Sequence, residues 1–276
     1  MGCSRLLFTG SRYRLGEFTC PAGAELWRTT NWIGDEPHVV FPGTAVRIVA
    51  DGTEPHVCTA NDVLVYAADT HYRRELVSAE GDRCLFVTVS LALSDELGLP
   101  SRPRSNPLRY GPCPARRYAL AQRIRAAAGS AGSDPLRLDE AVLSLLGSAA
   151  GTPWSAPQAR QRAHRAAVEE VQRLVASAPA RSWTLAELAA RVYYSPYFLA
   201  RLFRRLTGYS IAGYRQQLRL RLSLEQALDP AADLSQVAAG YGFSSHSHYT
   251  HAFRRAFGCT PSQARRRRPA GQVPNT

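Results

Sequence analysis

The stretch Gly242–Gly258, "GFSSHSHYTHAFRRAFG", holds three of the chain's seven histidines. A helix through it, turning about 100° per residue, gathers Tyr249, Phe253, Ala256 and Phe257 on one arc. Ser247, Thr250, His251 and Arg254 share the next arc, with His246 at its border. Measured from His246, His251 lies at about 140° and His248 at about 200°. Ligands of one metal must converge to about 2 Å from the ion, so these three histidines alone make a poor metal site. The pattern is instead an amphipathic helix with an apolar side and a polar one.

The same text occurs a second time. "LARLFRRLTG" (Leu199–Gly208) aligns with "YTHAFRRAFG" (Tyr249–Gly258), matching Phe203, Arg204, Arg205 and Gly208 with Phe253, Arg254, Arg255 and Gly258. A repeat of this kind means one structural unit used twice. Each copy follows a short Ala-rich helix, "LAELAARV" (Leu185–Val192) or "LSQVAAG" (Leu234–Gly240), then a tight turn. A capping serine comes next, Ser195 in the first copy and Ser244 or Ser245 in the second. Helix, short turn and capped helix is the helix-turn-helix layout. In the first copy Leu199, Leu202, Phe203 and Leu206 form the apolar arc, while Tyr197, Ala200, Arg201 and Arg204 face the other way. Arg204 and Arg254, at the edges of their arcs, suit DNA phosphates, and His248 lies on the flank, where it meets phosphate or solvent.

Charge points the same way. Residues 158–276 carry 18 Arg against 6 acidic residues, whereas residues 1–157 carry 16 of each, so the whole net charge of +12 lies in the C-terminal part. A single-signed part joined to a neutral part points to one that meets a polyanion, nucleic acid ahead of the alternative of a plain solvated basic surface, and another that does something else. No run of eighteen apolar residues appears, and Met1–Gly10 lacks a signal-peptide layout, so a cytoplasmic chain without membrane partners is expected. The six cysteines form no CxxC pair and read as free thiols.

From about His38 to Val89 short apolar runs ("VVFPG", "AVRIVADGTEP", "HVCTANDVLVYA", "RCLFVTVSL") alternate with turn residues, which predicts a small β-barrel or sandwich. Two helices follow, Ala115–Ala128 and Pro135–Ser148, and "GTPWSAPQ" marks a boundary. The predicted division is 1–150 for sensing or dimerisation, a linker 151–160, a helical DNA-binding domain 161–268 and a tail 269–276. Residues 1–157 contain no HxH, and His38, His56 and His71 stand alone, so no metal and no cofactor are expected. Trp27, Trp32, Arg47 and Tyr66 are candidate walls of a ligand pocket, although large aromatics are more often plain core.

"TLAELAARVYYSPYFLARLFRRLTGYS", "YRQQLRLRLSLEQAL" and "LSQVAAGYGFSSHSHYTHAFRRAFGCTPSQARR" together resemble the DNA-binding domain of the AraC/XylS family of bacterial transcription regulators, over roughly residues 165–268. The resemblance implies two helix-turn-helix units joined by a long helix, about Ile211–Leu228, with both recognition helices in successive major grooves. Carried over, the base-reading positions fall on Tyr197, Ala200 and Arg201 in the first unit and on His246, Ser247 and His251 in the second. The chain departs from the family at Tyr193, where Gly is usual, at His251, where Arg is common, and at Ala264, where Tyr is frequent. Ala200 offers only apolar contact. The N-terminal part resembles the family's cupin-like barrel more loosely, through the order of barrel, two helices and DNA-binding domain. The whole is then an α+β protein, a transcription activator with RNA polymerase, a small-molecule effector and a second copy of itself as partners. A ligand-independent regulator and a cupin-type enzyme fused to a DNA-binding module are the alternatives.

Overall fold

The computed structural model describes residues 2–99, 107–130, 134–154 and 162–266. Residues 155–160 of the expected linker, and the expected tail 269–276, lie outside the described residues. Two antiparallel sheets form the N-terminal part. The larger is ordered β1 (Cys3–Thr9), β2 (Tyr13–Cys20), β9 (Asp82–Val89), β4 (His38–Pro42), β7 (Asp62–Tyr66), β10 (Leu108–Pro112). The smaller is ordered β3 (Asn31–Trp32), β8 (His71–Leu76), β5 (Val46–Ala50), β6 (His56–Cys58).

Among the described residues no ladder joins the end strands of one sheet to those of the other, so these strands form two facing sheets and not the expected closed barrel. Strand pleating sends alternate residues to opposite faces, and the inner strands β4, β7 and β9 of the larger sheet are covered on both. Val39 and Phe41, Val63 and Val65, and Leu85, Val87 and Val89 enter a core shared with the helices. Between them in sequence, Val40, Leu64, Tyr66, Cys84 and Phe86 face the smaller sheet.

The helices are α1 (Leu91–Glu96), α2 (Ala115–Ala128), α3 (Pro135–Ala150), α4 (Arg162–Ser177), α5 (Leu185–Arg191), α6 (Pro196–Thr207), α7 (Ile211–Leu222), α8 (Leu224–Leu228), α9 (Leu234–Gly240), α10 (His246–Phe257) and α11 (Pro261–Arg266). The long joining helix expected over Ile211–Leu228 is interrupted at Ser223. Its hydroxyl donates to the Leu220 carbonyl at 3.0 Å and pairs with the Tyr249 hydroxyl at 3.0 Å, so a side chain competes locally with the helix ladder and ties the break to α10.

The helical part is seated on the β part. Arg221 of α7, only 2% exposed, donates to the Asn61 side-chain oxygen and, at 2.6 Å, to the Cys113 carbonyl. The Asn61 amide returns a bond to the Tyr214 carbonyl at 3.2 Å, and the Thr59 and Tyr214 hydroxyls pair at 3.1 Å. One buried apolar cluster runs from Tyr13 in β2 to Phe253 in α10. The composition break between neutral and basic parts is therefore no break in the core.

Candidate nucleic-acid interface and inter-sheet cavity

Both helix-turn-helix units are built by local signals. Thr184 caps α5 in a capping box with Glu187, each bonding the other's backbone N–H. Ser195 caps α6 by accepting from the Phe198 N–H at 3.2 Å, and Ser245, not Ser244, caps α10 by accepting from the His248 N–H at 3.1 Å. Gly208 and Gly258 end α6 and α10 in the left-handed conformation, at φ 77° and 79°, as the matching glycines require.

The turns between the helices differ in one residue. Gly242 at φ 76° opens the second turn, and Tyr193 at φ 58° takes the same place in the first. The equivalence follows from the hydrogen bonds, since the next residue in each, Phe243 or Tyr194, bonds back across the helix end to Ala238 or Ala189.

Leu199, Leu202 and Phe203 of α6, and Tyr249, Ala252 and Phe253 of α10, are buried. On the other side Tyr197, Arg201 and Arg204 of α6 are exposed, with Ala200 half-buried between them. His246, Ser247, His251 and Arg254 are exposed on α10. The six expected base-reading positions thus form two polar arcs, one per recognition helix. Arg201 donates to the Tyr197 hydroxyl at 3.4 Å and lies 5.6 Å from its ring centroid. His248 is turned back on its own turn: Nδ1 is 3.1 Å from the Ser244 hydroxyl, and its ring meets Phe243 edge-on at 5.6 Å.

The second site is a cavity of about 470 Å³ between the sheets. Of the four candidate pocket residues, Trp32 and Tyr66 line it. Trp27 and Arg47 do not. Trp27 donates its indole N–H to the Pro21 carbonyl at 2.7 Å. Arg47 points out of the β unit, where Nε meets Glu169 of α4 and Nη1 meets Glu75, both at 2.5 Å. Its strand neighbours Val46 and Ile48 face the cavity instead.

Sequence reading missed the pair Arg74 and Asp82, which touch at 2.8 Å in the cavity wall with side chains 4% and 8% exposed. "HYRREL" reads as surface charge, and only the alternation of Tyr72 and Arg74 on one strand face hints otherwise. Burial pushes the Asp82 carboxyl up to about 6 against the pull of Arg74, so both members are ionised above that pH.

Two capped helix-turn-helix units with outward polar arcs, in the part that carries the net charge, define a double helix-turn-helix DNA-binding domain. Residues 188–267 match the family model described as a helix-turn-helix domain. An AraC-like transcription regulator of Streptomyces antibioticus is 34% identical over 88 residues, 32% of this chain and 29% of that one. The thermoregulatory protein LcrF of Yersinia pestis is 29% identical over 130 residues, 47% of each chain. The aligned segment spans about half the length of the first curated relatives. The C-terminal part is thus a helix-turn-helix domain similar to that of AraC-like transcription regulators. Among solved structures, ToxT from Vibrio cholerae with a bound unsaturated fatty acid is 13% identical at a TM-score of 0.35, covering 92% of this chain and 95% of that one.

Proposed function

We propose that the protein is a sequence-specific transcription regulator, an activator, that reads double-stranded DNA with α6 and α10 and senses a small molecule through its cupin-like N-terminal part. The observation that carries this reading is the pair of outward arcs, Tyr197–Ala200–Arg201 and His246–Ser247–His251, on two equivalently capped helices. Bases are read by Arg201 and the histidines, and phosphates are met by Arg204 and Arg254, with His248 at the flank. The similarity to a virulence regulon transcriptional activator of Yersinia enterocolitica, 29% identical over 130 residues, supports the sign, and that to the AraC-like regulator supports the class. The cavity supports the sensing role, because its volume and mixed aromatic wall suit a small organic molecule.

The reading further takes the protein to act in the cytoplasm, without catalysis, with RNA polymerase and a second copy as partners. The test is two-sided. The full chain should retain duplex DNA with an affinity that falls steeply as salt rises, and a metabolite collection should yield at least one compound that raises its melting temperature. DNA binding without any stabilising compound would leave the ligand-independent regulator; no salt-sensitive DNA binding would remove the reading altogether.

A further inference from the structure

We infer that the inter-sheet cavity takes an uncharged, ring-containing organic molecule, and that the buried Arg74–Asp82 pair makes the wall neutral so that charged molecules are turned away. This rests on the sensing role proposed above and names the ligand class for it.

The shape comes first. The cavity is about 470 Å³, within the usual range for sites that enclose small organic ligands. Aromatic side chains from both sheets line it: Phe18, Tyr66 and Phe86 from the larger, Trp32 and Tyr72 from the smaller. Rings so placed can pack against a flat ligand by offset or edge contacts, which a flexible chain exploits less well. Trp32 is 60% exposed although it lines the cavity, so an apolar surface waits at the mouth.

The charge inventory then decides the class. Among the described residues that line the cavity only Arg74 and Asp82 carry formal charge, and they pair with each other at 2.8 Å. Arg74 also donates through Nη2 to the Tyr72 hydroxyl at 2.5 Å and lies 4.3 Å from the Phe18 ring centroid, while its buried Nε has no hydrogen-bond partner among the described residues. His38 also lines the wall, and burial holds it below its ordinary value; its ring nitrogens meet the Glu36 carbonyl at 3.0 Å and the Thr88 hydroxyl at 3.1 Å. The thiols of Cys58 and Cys84 are pushed well above theirs by burial and stay protonated. A carboxylate or ammonium entering this wall would shed its water and find no free counter-charge. A neutral ring loses nothing of the kind and gains apolar contact.

Four probes separate charge from shape: 9-fluorenone, 9-fluorenone-2-carboxylate, decan-1-ol and decanoate. Each is titrated calorimetrically into the full chain at pH 7.5, with melting temperature as a parallel readout. Fluorenone should bind at least tenfold more tightly than its carboxylate and than decanol, and decanoate weakest of all. In Asp82→Asn the amide still accepts from Arg74 but a positive charge is left in the wall, so the ratio of carboxylate to fluorenone affinity should rise at least tenfold. A wild-type preference for either carboxylate, equal binding of decanol and fluorenone, or an unchanged ratio in a folded Asp82→Asn overturns the ligand class while leaving a sensing cavity. Binding of none of the four overturns the ligand class and, with an empty metabolite screen, the sensing role as well. If Asp82→Asn does not fold, the wild-type comparison decides alone.

Discussion

Tyr193 shows what a single residue can cost. Its φ of 58° is left-handed, and its ring is 94% exposed, so no packing compensates the strain. A non-glycine residue in that conformation costs roughly 1–2 kcal/mol, and glycine gives back about 0.5–1 kcal/mol through the extra freedom of the unfolded chain. Tyr193→Gly should therefore stabilise the protein by up to about 1.5 kcal/mol, seen as a higher urea midpoint with an unchanged slope. A lower midpoint would mean that the exposed ring contributes something the strain argument omits. At Arg201 the expectation concerns recognition. Loss of a bidentate contact to guanine costs about 1–3 kcal/mol at the preferred site, so Arg201→Ala should lose that much there and less on scrambled duplex. Equal losses on both would reduce Arg201 to a phosphate contact.

Elements differ in how plainly the sequence announces them. The helices of the DNA-binding domain carry their own punctuation, with Thr184, Ser195, Ser210, Asp233 and Ser245 as caps and Gly208 and Gly258 as stops. This is why the two units and their outward arcs were legible. Thr184→Ala should cost about 1 kcal/mol, because it removes the hydroxyl that accepts from the Glu187 N–H and leaves only the backbone half of the α5 capping box; thermal melting of the variant checks this. The β strands were legible where apolar residues dominate the run, as in "DVLVY" of β7. The hairpin β1–β2 and strand β8 escaped notice because exposed Arg, Glu and Thr alternate with their apolar residues, a pattern shared with loops. The pocket was half legible: Trp32 and Tyr66 were found by residue type, whereas Arg47 and Arg74, one residue type on adjacent strands, face opposite ways through register alone.

At the scale of the molecule, the turn that joins β6 to β7 holds α7, the helix between the two recognition units. Thr59 and Asn61 in that turn bond Tyr214 and Arg221, while Cys58 and Leu64 on either side of it line the cavity. None of this long-range pairing could be read from composition, since Arg221 lies in an arginine-rich helix that looks solvated. Because the buried cluster is continuous from β2 to α10, calorimetry should show one unfolding transition. Asn61→Ala takes an acceptor from a buried guanidinium and should cost about 1.5–3 kcal/mol, lowering that single transition; two separated transitions would show that the parts fold independently. The DNA-binding role itself is tested most directly by selecting bound fragments from random duplex DNA with the full chain and sequencing them. Two recognition helices entering successive major grooves predict an enriched site with two conserved blocks about 10 base pairs apart, retained at low salt and released as salt rises. Fragments no different from the starting pool, or retention indifferent to salt, would contradict it.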